Sequence, residues 1–273
     1  MPPTVVVPGA TIGYDVAGPE GAPAVLFIHA GVATRAMWDP QFSDLAADHR
    51  VIRYDTRGYG DSPGDAVAYA ESDDLLRVLD AAGVERAVVV GASRGGRFAL
   101  DATLAHPERV TGLVMIGSNP SGLDYDAVEY SARERELEEA METAEAAQDV
   151  EALVRIEVQL WDIGPERDVD DVDPDFVERA ILLNVGAAHW DFAGTATPPA
   201  HPAIDRLGEL DVPVLVAIGD HDVTDALHSA ELFAAGIPGA EVARFPDAAH
   251  LPSVEHPERF TGILRDWLAR HSL

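Results

Sequence analysis

The chain has no cysteine in 273 residues. That absence excludes disulfides, a thiolate nucleophile and zinc–thiolate centres together. Lysine is missing too, because all 19 basic residues are arginines. A Schiff base to pyridoxal phosphate or a carbonyl substrate, the lysine of a phosphate-cradling loop and a Ser-Lys dyad therefore have no side chain to form them. No G-x-G-x-x-G follows the early apolar runs, which argues against a dinucleotide cofactor. No apolar run is long enough to span a bilayer. Met1 to Gly9 lacks the basic segment and longer apolar stretch of a secretory signal, so the expected residence is the cytoplasm, with no membrane partner.

What is present describes a globular chain. It is 47% hydrophobic and 25% charged, with mean hydropathy −0.01, and its length suits one large domain with an insertion. A formal charge of −29, from 19 basic against 48 acidic residues, repels nucleic acid and anionic membranes. Much of the acidity lies between Asp124 and Asp175. The run Glu134, Glu136, Glu138, Glu139, Glu142 has helical spacing, and Asp168, Asp170, Asp171, Asp173, Asp175 lacks the glycine and terminal glutamate of a calcium loop. Both are expected to be solvated faces rather than metal sites.

Apolar runs predict a hairpin (Thr4 to Val7, Ile12 to Val16) and then strands alternating with helices. The strands are Ala24 to Ile28, Arg50 to Tyr54, Ala87 to Val90, Val110 to Ile116, Pro213 to Ile218 and Ala240 to Phe245. Alternation of this kind implies a mostly parallel sheet covered on both faces. Between about 123 and 204 the pattern changes. It holds no convincing strand, and helices are predicted over Ala127 to Ala147, Val150 to Trp161 and Pro174 to Ala188.

The segment Val88-Val89-Val90-Gly91-Ala92-Ser93-Arg94-Gly95-Gly96 puts a serine between a buried strand and a helix. A corner of that kind forces its central residue into a strained conformation, and the small neighbours give it room. Ser93 is the candidate nucleophile, and the N–H of Arg94, at a helix start, could hold a developing oxyanion. A serine hydroxyl needs a histidine to take its proton and a carboxylate to orient that histidine. Gly219-Asp220-His221-Asp222 ends one later strand, and Ala248-Ala249-His250-Leu251-Pro252 follows the next. Asp220 and Asp222 lie just beyond a strand end, and the sequence does not show which of them faces His250, so both remain open as the acid.

These segments resemble the α/β-hydrolase fold family over about residues 10 to 118 and 205 to 272. Gly91 to Gly95 resembles its nucleophile elbow, Gly219 to Asp222 its G-x-x-D acid loop, and Ala249 to Pro252 with Glu255-His256-Pro257-Glu258 its histidine segment. His29-Ala30-Gly31-Val32 is similar to its oxyanion loop, and Asp55-Thr56-Arg57-Gly58-Tyr59-Gly60-Asp61-Ser62 to the loop after the following strand. The order serine, acid, histidine is also that of the family. The resemblance implies a mostly parallel eight-stranded sheet flanked by helices, with a helical cap between strands six and seven. The core would be 1–120 and 205–273 and the cap 121–204. It favours Asp222 as the acid, adds Gly31 with Arg94 as oxyanion donors, and gives His29 a structural role. Asp55 and Arg57 would shape a turn.

Some positions depart from the family pattern. Ala30 and Ala249 replace usual glycines. Arg94 stands where an uncharged residue is common, so its guanidinium must find a carboxylate or water, or else favour a carboxylate-bearing substrate. The cap would line the substrate pocket through Trp161, Val185, His189 and Trp190, with Val32 from the oxyanion loop, and His189 is a candidate second acid/base group. The implied activity is hydrolysis of a small carboxylic ester or lactone by Ser93, His250 and Asp222 without a cofactor, in a monomer or homodimer. The same triad could cleave a C–C bond or an N-terminal proline, and a weakly hydrolytic ligand-binding protein could share the scaffold.

Overall fold

The computed structural model describes residues 2–187 and 194–273. Eight strands form its main sheet: β1 (Thr4–Val7), β2 (Ala10–Ala17), β3 (Ala24–Ile28), β4 (Arg50–Tyr54), β5 (Ala87–Ala92), β6 (Val110–Ile116), β7 (Val214–Gly219) and β8 (Glu241–Phe245). The nine helices are α1 (Asp39–Leu45), α2 (Glu71–Ala81), α3 (Arg94–Ala105), α4 (Ala132–Ala147), α5 (Val150–Glu157), α6 (Pro174–Ala187), α7 (Thr224–Gly236), α8 (Pro252–Glu255) and α9 (Pro257–His271), counted among the described residues. In space the strands run β1-β2-β4-β3-β5-β6-β7-β8. The hairpin β1–β2 and the β2–β4 pair are antiparallel, and every other neighbour pair is parallel. This is the alternating architecture that the apolar runs imply.

Every residue of β3, β5 and β7 is buried, because helices cover both faces of the sheet. That explains why these strands read as continuous apolar runs, whereas the edge strand β8 alternates. Side chains on successive residues enter two separate cores. Leu26, Ile28, Val89 and Met115 pack in one. Phe27, Val88, Val90, Trp38 and Phe260 pack in the other, where the Phe27 and Trp38 rings lie 4.8 Å apart.

The segment between β6 and β7 carries α4, α5 and α6, and it departs from the sequence reading in three places. The helix expected from Ala127 starts at Ala132, because Ser131 makes a capping box. Its hydroxyl accepts from Glu134 N–H at 3.1 Å, and Glu134 Oε2 accepts from Ser131 N–H at 2.7 Å. The helix expected over 150 to 161 widens into a π-turn at Val158–Ile163. A two-residue strand, Thr195–Ala196, pairs with Ala68–Tyr69, which is too short to leave any periodicity in sequence. Among the described residues no helix is long and apolar enough to cross a membrane.

Candidate active site

The turn from β5 into α3 is tight. A Cβ on Gly91 would lie 2.3 Å from the carbonyl oxygen of Gly95, and one on Gly95 would lie 2.6 Å from those of Ile28 and His29. Glycine at both positions lets the first turn of α3 press against the ends of β5 and β3. Ser93 absorbs the bend at φ 52°, ψ −120°, a region costing an L-residue on the order of 1–3 kcal/mol. Its N–H donates to Ile116 O at 2.7 Å, and its carbonyl accepts from Gly96 and Arg97. The first N–H groups of α3 have no carbonyl four residues back within the helix, and Arg94 holds the first of them.

Beyond β7, Asp222 turns inward and Asp220 outward. Asp222 Oδ1 accepts from His250 Nδ1 at 2.7 Å and from Val223 N–H at 2.7 Å. Asp220, which the sequence left open, accepts from Arg244 Nε at 2.8 Å at the surface. With Nδ1–H donated to the carboxylate, His250 Nε2 is left as the basic nitrogen. Burial lowers the proton affinity of His250, but Asp222, Asp225 and Asp162 together outweigh it, and the ring titrates above its ordinary 6.5. The loop is held from two sides. His250 N–H donates to Trp161 O at 3.1 Å, and Ala249 N–H donates to Glu255, whose carboxylate pairs with Arg167 at 2.8 Å.

The loop after β3 is set by His29. Burial lowers its pKa to about 4, so the ring is neutral. Its Nδ1–H donates to Ala30 O at 2.7 Å, and Nε2 accepts from Thr56 N–H at 2.9 Å. Ala33 N–H also donates to Ala30 O. A trans peptide points its C=O and N–H in opposite directions, so fixing the Ala30 carbonyl fixes the Gly31 N–H on the far side. Asp55 and Arg57 do not pair with each other. Asp55 receives Arg35 and the N–H of Asp61, while Arg57 binds Asp74 on α2 and the carbonyl of Pro8, pinning the loop to different parts of the fold.

Ser93 and His250 line one cavity of about 330 Å³, with Arg94, Arg97, Asn119, Tyr125, Tyr130, Glu138, Trp161 and Asp225. Trp161, expected from the sequence, stacks at 5.1 Å from His250. Val32 packs instead against the second core, and Val185 is 55% exposed on α6; neither lines this cavity. His189 and Trp190 lie outside the described residues. Arg94 makes no ion pair with a carboxylate among the described residues, contrary to the simplest expectation. Its guanidinium donates to Tyr59 Oη at 3.1 Å and Thr56 Oγ1 at 2.7 Å, and it lies over the rings of Tyr59 and Phe98.

The acidic run between 124 and 175 is also not uniformly solvated. Glu134 is buried and accepts from the N–H and hydroxyl of Thr224. Glu138 reaches the cavity, where burial, Asp225 and neighbouring glutamates push its carboxyl up. Asp162, wholly buried beside Asn184, is raised by burial to about 7. Asp162, Asp225, Asn119 and Tyr130 carry no motif and escape a sequence reading. Only the position of Asp225, three residues past Asp222 at the start of a helix, hints that it shares the site.

The alpha/beta hydrolase fold family matches residues 23–257. A chain of Azorhizobium caulinodans bearing the name carbamate hydrolase RutD is 32% identical over 93% of this chain and 94% of its own length. 3-Oxoadipate enol-lactonase 1 of Acinetobacter baylyi is 26% identical over 93% and 92%. Among solved structures, a hydrolase from Pseudomonas aeruginosa PA01 superimposes with TM-score 0.76 at 27% identity over 97% of both chains. Matching over this span, with the sheet order and elbow described above, the chain belongs to the alpha/beta hydrolase fold family and is a hydrolase of that type.

Proposed function

We propose that the protein is a serine hydrolase that cleaves a small carboxylic ester or lactone through an acyl-enzyme. His250 Nε2 takes the proton of Ser93 as its Oγ attacks the carbonyl carbon, and Asp222 holds the imidazole in the required tautomer and balances its charge. The N–H groups of Gly31 and Arg94 receive the oxyanion. Collapse expels the alcohol, which is protonated by His250. Water, deprotonated by the same nitrogen, then releases the acid and restores Ser93. For a lactone, alcohol and acid leave as one hydroxy acid.

The observation that carries this reading is the 2.7 Å contact of Asp222 with His250, which lines one cavity together with a strained Ser93. An enol-lactone and a carbamate, the compounds in the names of two relatives, each contain a carbonyl bearing a heteroatom leaving group. The 32% identical relative makes a carbamate the second substrate class to test. We also assign residues 121–204 as a cap over a core of 1–120 and 205–273, supported by Tyr125, Tyr130, Glu138 and Trp161 reaching the cavity from that segment. Turnover of p-nitrophenyl acetate and small lactones tests the function. Repeated turnovers lost in Ser93→Ala support it, whereas saturable binding without product release overturns it.

A further inference from the structure

A second cavity, of about 550 Å³, adjoins the catalytic one and shares Arg97 and Tyr125 with it. Phe98, Leu104, Pro120, Pro198 and Pro199 give it an apolar wall. Arg97 thus stands at the boundary, one helical turn past Arg94 on the same face of α3. In a chain with 48 acidic residues, most arginines hold a carboxylate, Arg35, Arg57, Arg167 and Arg265 among them. Arg97 has no ion pair among the described residues, and its guanidinium lies 5.7 Å from the Phe98 ring centroid.

None of the carboxyls that line the two cavities forms an ion pair with it among the described residues. Asp101 takes the Ser121 hydroxyl at 2.6 Å, and burial raises it against that bond and the opposing charges of Arg97 and Arg206. Glu71 takes Tyr69 Oη and is raised by burial against the opposing charge of Arg94. Asp225, with Asn119 on it, and Glu138 are raised as well. Two guanidiniums on one helix face therefore border these cavities with no carboxylate in ion-pair contact with either among the described residues. Arg94 spends donors on Thr56 and Tyr59, while the fork of Arg97 is open.

We propose that the larger cavity is a substrate subsite continuous with the catalytic cavity, and that Arg97 receives a carboxylate which the substrate carries away from the scissile bond. The inference rests on the hydrolase reading and adds the substrate class to it. One guanidinium fork matches one carboxylate in shape and charge. A doubly charged group such as phosphate would be left partly unneutralised inside a strongly acidic protein.

The test compares matched substrate pairs with the whole protein. On the acyl side the pair is p-nitrophenyl hydrogen glutarate and p-nitrophenyl pentanoate. On the alcohol side it is 4-acetoxybenzoate and 4-acetoxybenzamide. In at least one pair the wild type should favour the charged member in kcat/KM. Arg97→Met should cut that preference by about tenfold to a hundredfold, the size of a lost charge-assisted hydrogen bond, mainly through KM, and Arg97→Lys should keep part of it. Because the wild-type ratio needs no variant, a poorly folded Arg97→Met leaves the test intact. Ser93-dependent hydrolysis of both pairs without preference for either charged member overturns the subsite and leaves the hydrolase standing. Failure of Ser93 to react with any of the four esters or with a fluorophosphonate overturns the hydrolase reading itself.

Discussion

Gly117 offers a way to disturb the histidine–carboxylate pair without touching either member. It follows β6 with φ +52°, and a Cβ built on it would lie 2.8 Å from His250 O, 2.9 Å from His250 Nδ1 and 3.0 Å from Asp222 Oδ2. Gly117→Ala incurs two separable penalties. The left-handed backbone costs an L-residue about 1–2 kcal/mol of stability. The methyl also forces His250 or Asp222 to retreat by several tenths of an ångström, and a misplacement of about 1 Å in a catalytic constellation can cost on the order of 10²-fold. We therefore expect kcat for p-nitrophenyl acetate to fall about tenfold or more. Gly239→Ala is the matched control, because that glycine has φ +71° with nothing within 4 Å of an added Cβ. It should pay the backbone cost and keep wild-type turnover. Thermal melts and active-site-normalised rates of the three proteins separate the effects. Equal turnover in Gly117→Ala and Gly239→Ala, at similar melting temperatures, refutes the coupling of Gly117 to the pair.

Asp222→Asn should lower kcat by on the order of 10⁴, because the asparagine amide no longer fixes the productive tautomer of His250. Asp220→Asn, which removes a surface contact to Arg244, should turn over like the wild type; the reverse pattern, read by steady-state kinetics, would reassign the acid. The pH profile has a stated sign. His250 must be neutral to act as base, and its pKa is raised despite burial by Asp222, Asp225 and Asp162, so kcat/KM should fall as pH drops through a value above 6.5. Asp225→Asn removes one of those charges and should move this acid limb to lower pH; a limb that stays in place or moves up contradicts the assignment.

Much of this architecture is legible in the sequence because it rests on local signals. The buried runs of β3, β5 and β7 announce a covered parallel sheet. The glycines around Ser93 announce a crowded corner, since any Cβ at Gly91 or Gly95 meets backbone. Asp222 and Asp220 are indistinguishable without the fold, because both lie past the end of β7, where the turn rather than strand alternation decides which carboxylate faces His250. The remaining features depend on distant partners. The carbonyl of Trp161 reaches His250 only because α5 widens into a π-turn, and Glu134 leaves the solvated face only because the start of α7 lies beside it. Arg94 illustrates the same limit: composition made a carboxylate partner the natural expectation, yet two hydroxyls and two rings surround it.

The most direct test of the account is intact-protein and peptide mass spectrometry after exposure to a fluorophosphonate, run on the wild type and on Ser93→Ala. The account predicts one adduct on the wild type, located on Ser93 and lost in the variant. An adduct that persists in Ser93→Ala, or none on the folded wild type, would contradict an activated serine at this position.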